Sequence, residues 1–212
     1  MKNKIVIIVL IIVVVVVATG ISFYFIQKNK APVNSVGNIV PSSQSEVNNP
    51  TNSEQSQSKL VTDDFEISLP EGWQKTEPVM GALAMAVKAD EQLTDPAAQK
   101  IHFRSYFAVS YDTLQGKSLS EYMQGVKNYL QQITSGIVFA QEHDMIINDQ
   151  PARAFEASFI QQGVNFKILM VAVKGAGDDV WVISFNTLQG TWTEYQKIFS
   201  DIASSFKLKL KN

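Results

Sequence analysis

Phe65-Glu66-Ile67-Ser68-Leu69-Pro70-Glu71-Gly72-Trp73 is the stretch that decides the fold. Phe65, Ile67 and Leu69 alternate with Glu66 and Ser68, the period of a half-buried strand. Pro70-Glu71-Gly72 then turns the chain, and Trp73 supplies a large apolar surface behind the turn. A globular domain therefore opens here with a strand and a tight turn, and the same grammar runs onward.

Leu83 to Val87 reads as a further strand, and Asp90 to Lys100, polar and holding a proline, as a loop. From Ile101 to Tyr111 the chain alternates, with Ile101, Phe103, Phe107, Val109 and Tyr111 on one face. His102, Arg104, Tyr106 and Ser110 take the other face. Ser118 and Glu121 form a capping box in front of Leu119, Tyr122, Met123, Val126, Leu130 and Ile133, a helical stripe. Four strands are expected at Ile137–Ile147, Ala152–Ile160, Val164–Lys174 and Val180–Thr187. The short connections Asn148-Asp149-Gln150, Gln162-Gly163 and Gly175-Ala176-Gly177-Asp178 favour antiparallel hairpins. Thr191 and Glu194 cap a closing helix with Trp192, Tyr195, Ile198, Phe199, Ile202 and Phe206 on its apolar side. Lys207 to Asn212 is expected to be a solvated tail.

Phe107–Gly116 (FAVSYDTLQG) matches Trp181–Gly190 (WVISFNTLQG), each a strand, a Thr-Leu-Gln-Gly loop and a capped helix. The expectation is one junction geometry used twice. A ligand site built from both loops is the sharper alternative.

Upstream of the domain, Ile5–Ile26 carries no charge and as a helix spans about 33 Å at about 1.5 Å per residue, enough to cross a bilayer core of about 30 Å. The run is longer than a signal-peptide apolar core, and Ala18-Thr19-Gly20 is a loose cleavage motif, so a retained transmembrane anchor behind a short head (residues 1–4) is expected. Lys2 and Lys4 on one flank nearly balance Lys28 and Lys30 on the other. The short head and long polar remainder favour a cytoplasmic N-terminus with the domain outside the cytoplasm. Residues 27–60, rich in Asn, Ser, Gln and Pro, read as a disordered linker of roughly 30 Å mean reach, leaving 61–212 as the globular domain.

Composition narrows function further. The protein has 212 residues and a formal net charge of −2. Residues 1–60 hold five Lys and two Glu, while 61–212 hold thirteen Lys and Arg against eighteen Asp and Glu. A mildly acidic domain is a poor partner for nucleic acid. The absence of cysteine excludes disulfides, thiol catalysis and thiolate zinc sites.

The chemistry-bearing residues do not assemble into a motif. His102 sits beside a cation, Arg104. In Glu142-His143-Asp144, a strand points His143 away from the two carboxylates, which leaves at most a weak hard-cation site. Asp63-Asp64 and Asp178-Asp179 stand at turns, Ser110 and Ser184 lack a nucleophile-elbow context, and Gly175-Ala176-Gly177 is too short to cradle phosphate. Trp73 and the methionines Met80, Met85, Met123, Met145 and Met170 read as core. No catalytic, cofactor or metal residues are assigned and no cofactor is expected.

Several features together resemble the PsbP-like family, which shares its fold with the Ran-binding Mog-type proteins. They are F-x-I-x-L-P-x-G-W at Phe65–Trp73, the central capped helix, Asn148-Asp149-Gln150-Pro151-Ala152, and the closing Ser204-Ser205-Phe206-Lys207-Leu208. The resemblance covers about residues 62–208. It implies an α+β chain, an α/β/α sandwich around an antiparallel sheet, and a small, usually non-enzymatic accessory or binding domain. With the anchor, that makes a membrane-tethered, extracytoplasmic domain contacting an envelope protein or a small ligand. The alternatives are a hydrolase site assembled around His143 and Asp144, or a purely structural envelope protein.

Overall fold

Two tight turns shape the largest part of the sheet. Asn148 and Asp149 take φ of 45° and 66°, and Gln162 and Gly163 take 51° and 77°. Two consecutive positive φ values make the two-residue turn whose twist matches antiparallel strands, so each joins its flanking strands directly. The computed structural model describes residues 58–79 and 81–209. Its elements are β1 (Ser58–Val61), β2 (Phe65–Leu69), β3 (Trp73–Thr76), β4 (Ala84–Lys88), α1 (Pro96–Lys100), β5 (Tyr106–Thr113), α2 (Leu119–Ile133), β6 (Val138–Ile147), β7 (Gln150–Gln161), β8 (Val164–Lys174), β9 (Asp179–Leu188), α3 (Trp192–Ser204) and β10 (Lys207–Leu208). The proposed anchor at 5–26, nearly all of the linker, and Met80 lie outside the described residues. Among the described residues, no helix is long and apolar enough to cross a membrane.

Seven strands form an antiparallel sheet in the order β3-β4-β5-β9-β8-β7-β6, and β1-β2-β10 form a smaller one. Helices α1 and α2 cover one face of the large sheet. Their core holds Tyr106, Met123, Val126, Leu130, Phe155, Phe166, Ile168 and Met170. Helix α3 and the small sheet cover the other, over Phe65, Ile67, Trp73, Phe107, Ile183, Phe185, Tyr195, Phe199 and Phe206. The fold is the expected α/β/α sandwich. Strands β5, β8 and β9 are buried on both faces, which is why their sequences run apolar almost without a break.

The opening stretch behaves as its pattern requires. Phe65, Ile67 and Leu69 are buried and Glu66 and Ser68 are not. Gly72 has φ of 78°, and Trp73 N–H donates to Pro70 C=O at 3.1 Å, a turn that needs glycine at its third position. An added Cβ there would also meet the Lys88 ammonium and the Asp90 carboxylate.

Three motifs at distant sequence positions meet at the end of α3. Asn148 Nδ2 donates to Ser204 C=O at 3.2 Å and Phe206 C=O at 2.8 Å. Ser205 Oγ accepts from Ser68 N–H at 2.9 Å. The last carbonyls of a helix lack intrahelical donors, and here a hairpin asparagine supplies one.

Several expectations are corrected. Lys207–Leu208 are not a free tail but pair with Phe65 and Glu66. Ser58–Leu60, assigned to the linker, form β1 with Leu60 fully buried. The 90–100 loop contains α1, whose N-cap Asp95 accepts from Ala97 and Ala98 N–H. Trp73–Thr76 is a strand. Ile101–Ser105 is irregular, and β5 starts only at Tyr106. Its second face, including Tyr106 and Ser110, is buried because α1 and α2 cover it.

The two Thr-Leu-Gln-Gly loops also differ from expectation. Their strands β5 and β9 pair antiparallel about Val109–Ile183, which are equivalent positions in the repeat. The loops therefore leave opposite ends of the sheet and cannot share one ligand. In the first, Gln115 and Gly116 both take positive φ, 54° and 74°. In the second, Gln189–Thr191 form a 3-10 turn. Ser118 makes the full capping box, whereas Thr191 makes no side-chain cap bond and spends its hydroxyl on Thr187 and Leu188. One residue lies between Gly116 and its cap Ser118, whereas Gly190 directly precedes its cap Thr191, and the helices go to opposite faces.

Candidate functional site

The face carrying α3 and the small sheet has two grooves. The larger, about 750 Å³, opens where the small sheet meets the end of the large one. Its floor is Tyr111 and Trp181, directly paired across β5 and β9, with ring centroids 5.3 Å apart in an edge-on contact. Leu83, half exposed, extends the apolar surface, and Asp64, Gln150, Asp179 and Lys209 form the rim. Tyr111 Oη donates to Asp179 at 2.7 Å. That bond, with burial and the fields of Asp179, Asp112 and Asp64, raises the phenol above its ordinary pKa. Lys209 donates to Thr62 C=O. The groove is apolar and aromatic below, polar at the edge and electronegative beside Tyr111.

The smaller groove, about 440 Å³, lies between α3 and strands β6–β8. Met145, Ala154, Leu169 and Val171 make its floor, and Gln196, Lys197 and Ser200 of α3 one wall. His143 lines it. Its Nδ1 lies 2.9 Å from Gln141 C=O, and a carbonyl only accepts, so Nδ1 is the donor in that contact. Glu156 closes one end, buried and paired to Lys167 at 2.8 Å, with Gln196 Nε2 donating to it at 3.4 Å. The Lys167 ammonium also sits 5.2 Å from the Trp192 ring centroid.

Two buried carboxylates are held by hydroxyls. Glu91 accepts from Ser105 N–H and Oγ, and Ser105 Oγ, Thr187 Oγ1 and Thr191 Oγ1 form a chain at 2.7 and 2.9 Å. Burial, reinforced by Glu91, raises the Tyr195 phenol strongly. Asp112 accepts from Tyr122 Oη at 3.0 Å and Thr113 N–H at 2.7 Å, and burial raises its carboxyl pKa. Both carboxylates are buried, and each cluster ties segments together.

The structure separates Glu142, His143 and Asp144. A bulge between Ala140 and His143 resets β6. His143 then faces the α3 groove, while Glu142 and Asp144 face the other side and share Arg153 at 3.0 and 2.5 Å. Lys127 on α2 also bonds Glu142 and, first among the causes, lowers its pKa. His143 and Asp144 thus cannot serve one hydrolytic centre as a pair. Among the described residues, no group of three or more His, Cys, Asp or Glu is placed to hold a metal. His102 is exposed in the turn after α1, not on a strand, and Arg104 donates to Glu91 C=O. Asp178 holds the first Thr-Leu-Gln-Gly loop, accepting from Leu114 N–H at its carbonyl and Gly116 N–H at its carboxylate. Thr62 organises the Asp63-Asp64 turn. Gly175–Asp178 is the β8–β9 turn. Ser110 and Ser184 are buried, Trp73 packs on Phe107, Tyr195 and Phe199, and Met85, Met123 and Met170 are core. The Tyr111–Trp181 floor escaped the sequence reading. Its signal was the repeat itself, whose two aromatic positions meet once the copies pair antiparallel.

No protein-family profile matches this sequence, and no characterised protein matches it by sequence. Solved structures do match its fold. LpqN of Mycobacterium tuberculosis, described as involved in cell envelope biogenesis, aligns with a TM-score of 0.53 at 13% identity, over 74% of this chain and 88% of that one. The cyanobacterial PsbP of Synechocystis aligns with a TM-score of 0.52 at 13% identity, over 84% and 100%. The Ran-binding protein Mog1p of Saccharomyces cerevisiae aligns with a TM-score of 0.50 at 13% identity, over 72% and 96%. The architecture is of the PsbP/Mog type. At these identities the likeness concerns the fold.

Proposed function

We propose that this chain is a membrane-tethered accessory protein whose domain lies outside the cytoplasm and binds an envelope protein or a small ligand in the Tyr111–Trp181 groove. The observation that carries the reading is that groove's make-up: an aromatic and aliphatic floor, a few convergent polar groups, and no Ser, Thr or His among the described residues along its lining. Such a surface suits recognition rather than bond making. The apolar 5–26 segment supports the tether, and a tether raises the domain's effective concentration near membrane partners. Fold neighbours described as acting in envelope biogenesis or in binding Ran support an accessory role by analogy.

The test is site-directed photocrosslinking of the full-length protein in its own membrane. A photoreactive residue at Leu83 is expected to capture one discrete partner that is lost in Tyr111→Ala, while the same probe at exposed Ile146 is not. If Leu83 captures nothing specific, and the purified protein hydrolyses a generic ester or phosphate in a manner abolished by His143→Ala, the binding reading falls.

A further inference from the structure

Ser184 and Asn186 lie two residues apart on β9, so their side chains share one face, and their exposures are 2% and 3%. That face is the one beneath α1 and α2. The cross-strand neighbours of Ser184 are Ala108 and Met170, and those of Asn186 are Tyr106 and Ile168, all members of that core. Neither Ser184 Oγ nor Asn186 Nδ2 has a hydrogen-bond partner among the described residues. Buried side-chain polar atoms are overwhelmingly paired with protein or with ordered water, so two adjacent exceptions on a central strand call for a physical reason.

A third hydroxyl completes the set. Ser110 on β5 faces the same core, is 1% exposed, and reaches Val182 C=O only at 3.5 Å, a long bond. Residues two apart on a strand are separated by about 6.6–6.8 Å, a gap that one or two water molecules bridge. A buried water needs two to four polar partners and room, and Ala108 opposite Ser184 projects only a methyl. The three groups are neutral, so they suit water and not an ion.

We infer that the seam between β5 and β9 under the helical layer is an internal hydration site, where ordered water joins Ser184 Oγ to Asn186 Nδ2 with Ser110 Oγ as a further partner.

The test pairs a crystal structure of the protein, at a resolution that shows ordered water, with thermal denaturation of Ser184→Ala and Asn186→Leu. The expected result is density within hydrogen-bond reach of both atoms and a fall in Tm of roughly 2–4 °C for Ser184→Ala. The sign is diagnostic. Removing a hydroxyl that bonds water lowers stability, whereas removing one that is bare raises it. A seam without density overturns the inference. So does a Tm for Ser184→Ala equal to or above the parent's, or an Asn186→Leu protein more stable than the parent.

Discussion

Asn148 reaches across the fold to Phe206, its side-chain amide donating to the Phe206 carbonyl at 2.8 Å and, as a second bond, to that of Ser204. Asn148 also holds φ of 45°, a conformation asparagine tolerates better than alanine. Asn148→Ala is therefore expected to cost about 1–3 kcal/mol, from two lost bonds and added backbone strain. Asn148→Gly, which relieves the strain but not the bonds, is expected to fall between parent and alanine in urea denaturation.

Gly116 and Gly190 close identical tetrapeptides in different conformations. Gly116→Ala places a Cβ at φ of 74° and is expected to destabilise by about 1 kcal/mol. Gly190→Ala sits in a 3-10 turn with open space around the new methyl and is expected to be neutral or to stabilise by up to about 1 kcal/mol. Equal effects on the denaturation midpoint would contradict the difference between the loops.

Asp112 is buried and its carboxyl pKa is raised, burial being the largest cause. A raised folded pKa means that the native state holds the proton more tightly than the unfolded chain. The contribution is fully present below the unfolded pKa and is lost as pH rises through the folded one. Asp112→Asn is thus expected to gain stability relative to the parent as pH rises from about 4 toward 7. A parent-minus-variant difference that is flat across that range would refute this.

Lys167 and Glu156 form a pair with side chains 13% and 8% exposed. Lys167→Met or Glu156→Gln alone is expected to cost about 3–5 kcal/mol by stranding the partner, while replacing both with apolar residues recovers much of the loss. Denaturant midpoints of the two single variants and the double one check the coupling.

For the proposed orientation, single cysteines placed at Ser43 and Ser204 are both expected to react with a membrane-impermeant thiol reagent on intact cells, Ser204 being exposed in the fold. Protection of both sites would reverse the orientation.

How much of this was legible in the sequence depends on whether a residue acts locally. Ser118 and Glu121 are three apart and carry their own capping box, and Asn148-Asp149 and Gln162-Gly163 carry their own turns, so these features were readable. Thr191 looked the same as Ser118, but its hydroxyl is drawn off by Thr187 and Leu188, a competition set by where α3 enters. Lys207 and Leu208 read as tail because nothing local shows that β2 has a free edge beside them. The groove was least visible, since Tyr111 and Trp181 are 70 residues apart and meet only through strand pairing.

The small sheet has a mechanical consequence. Among the described residues strand β1 pairs only with β2, in four consecutive residue pairs beginning Ser58↔Leu69, while β10 grips the opposite edge of β2. Tension on the chain at Ser58, directed away from the sheet, loads those pairs one at a time, as in a zipper, rather than all together in shear. β1 would then peel first and expose Leu60, leaving the two cores and the Tyr111 groove still held by β2, β10 and α3. Strand β1 is therefore the element that yields first to any pull applied at Ser58.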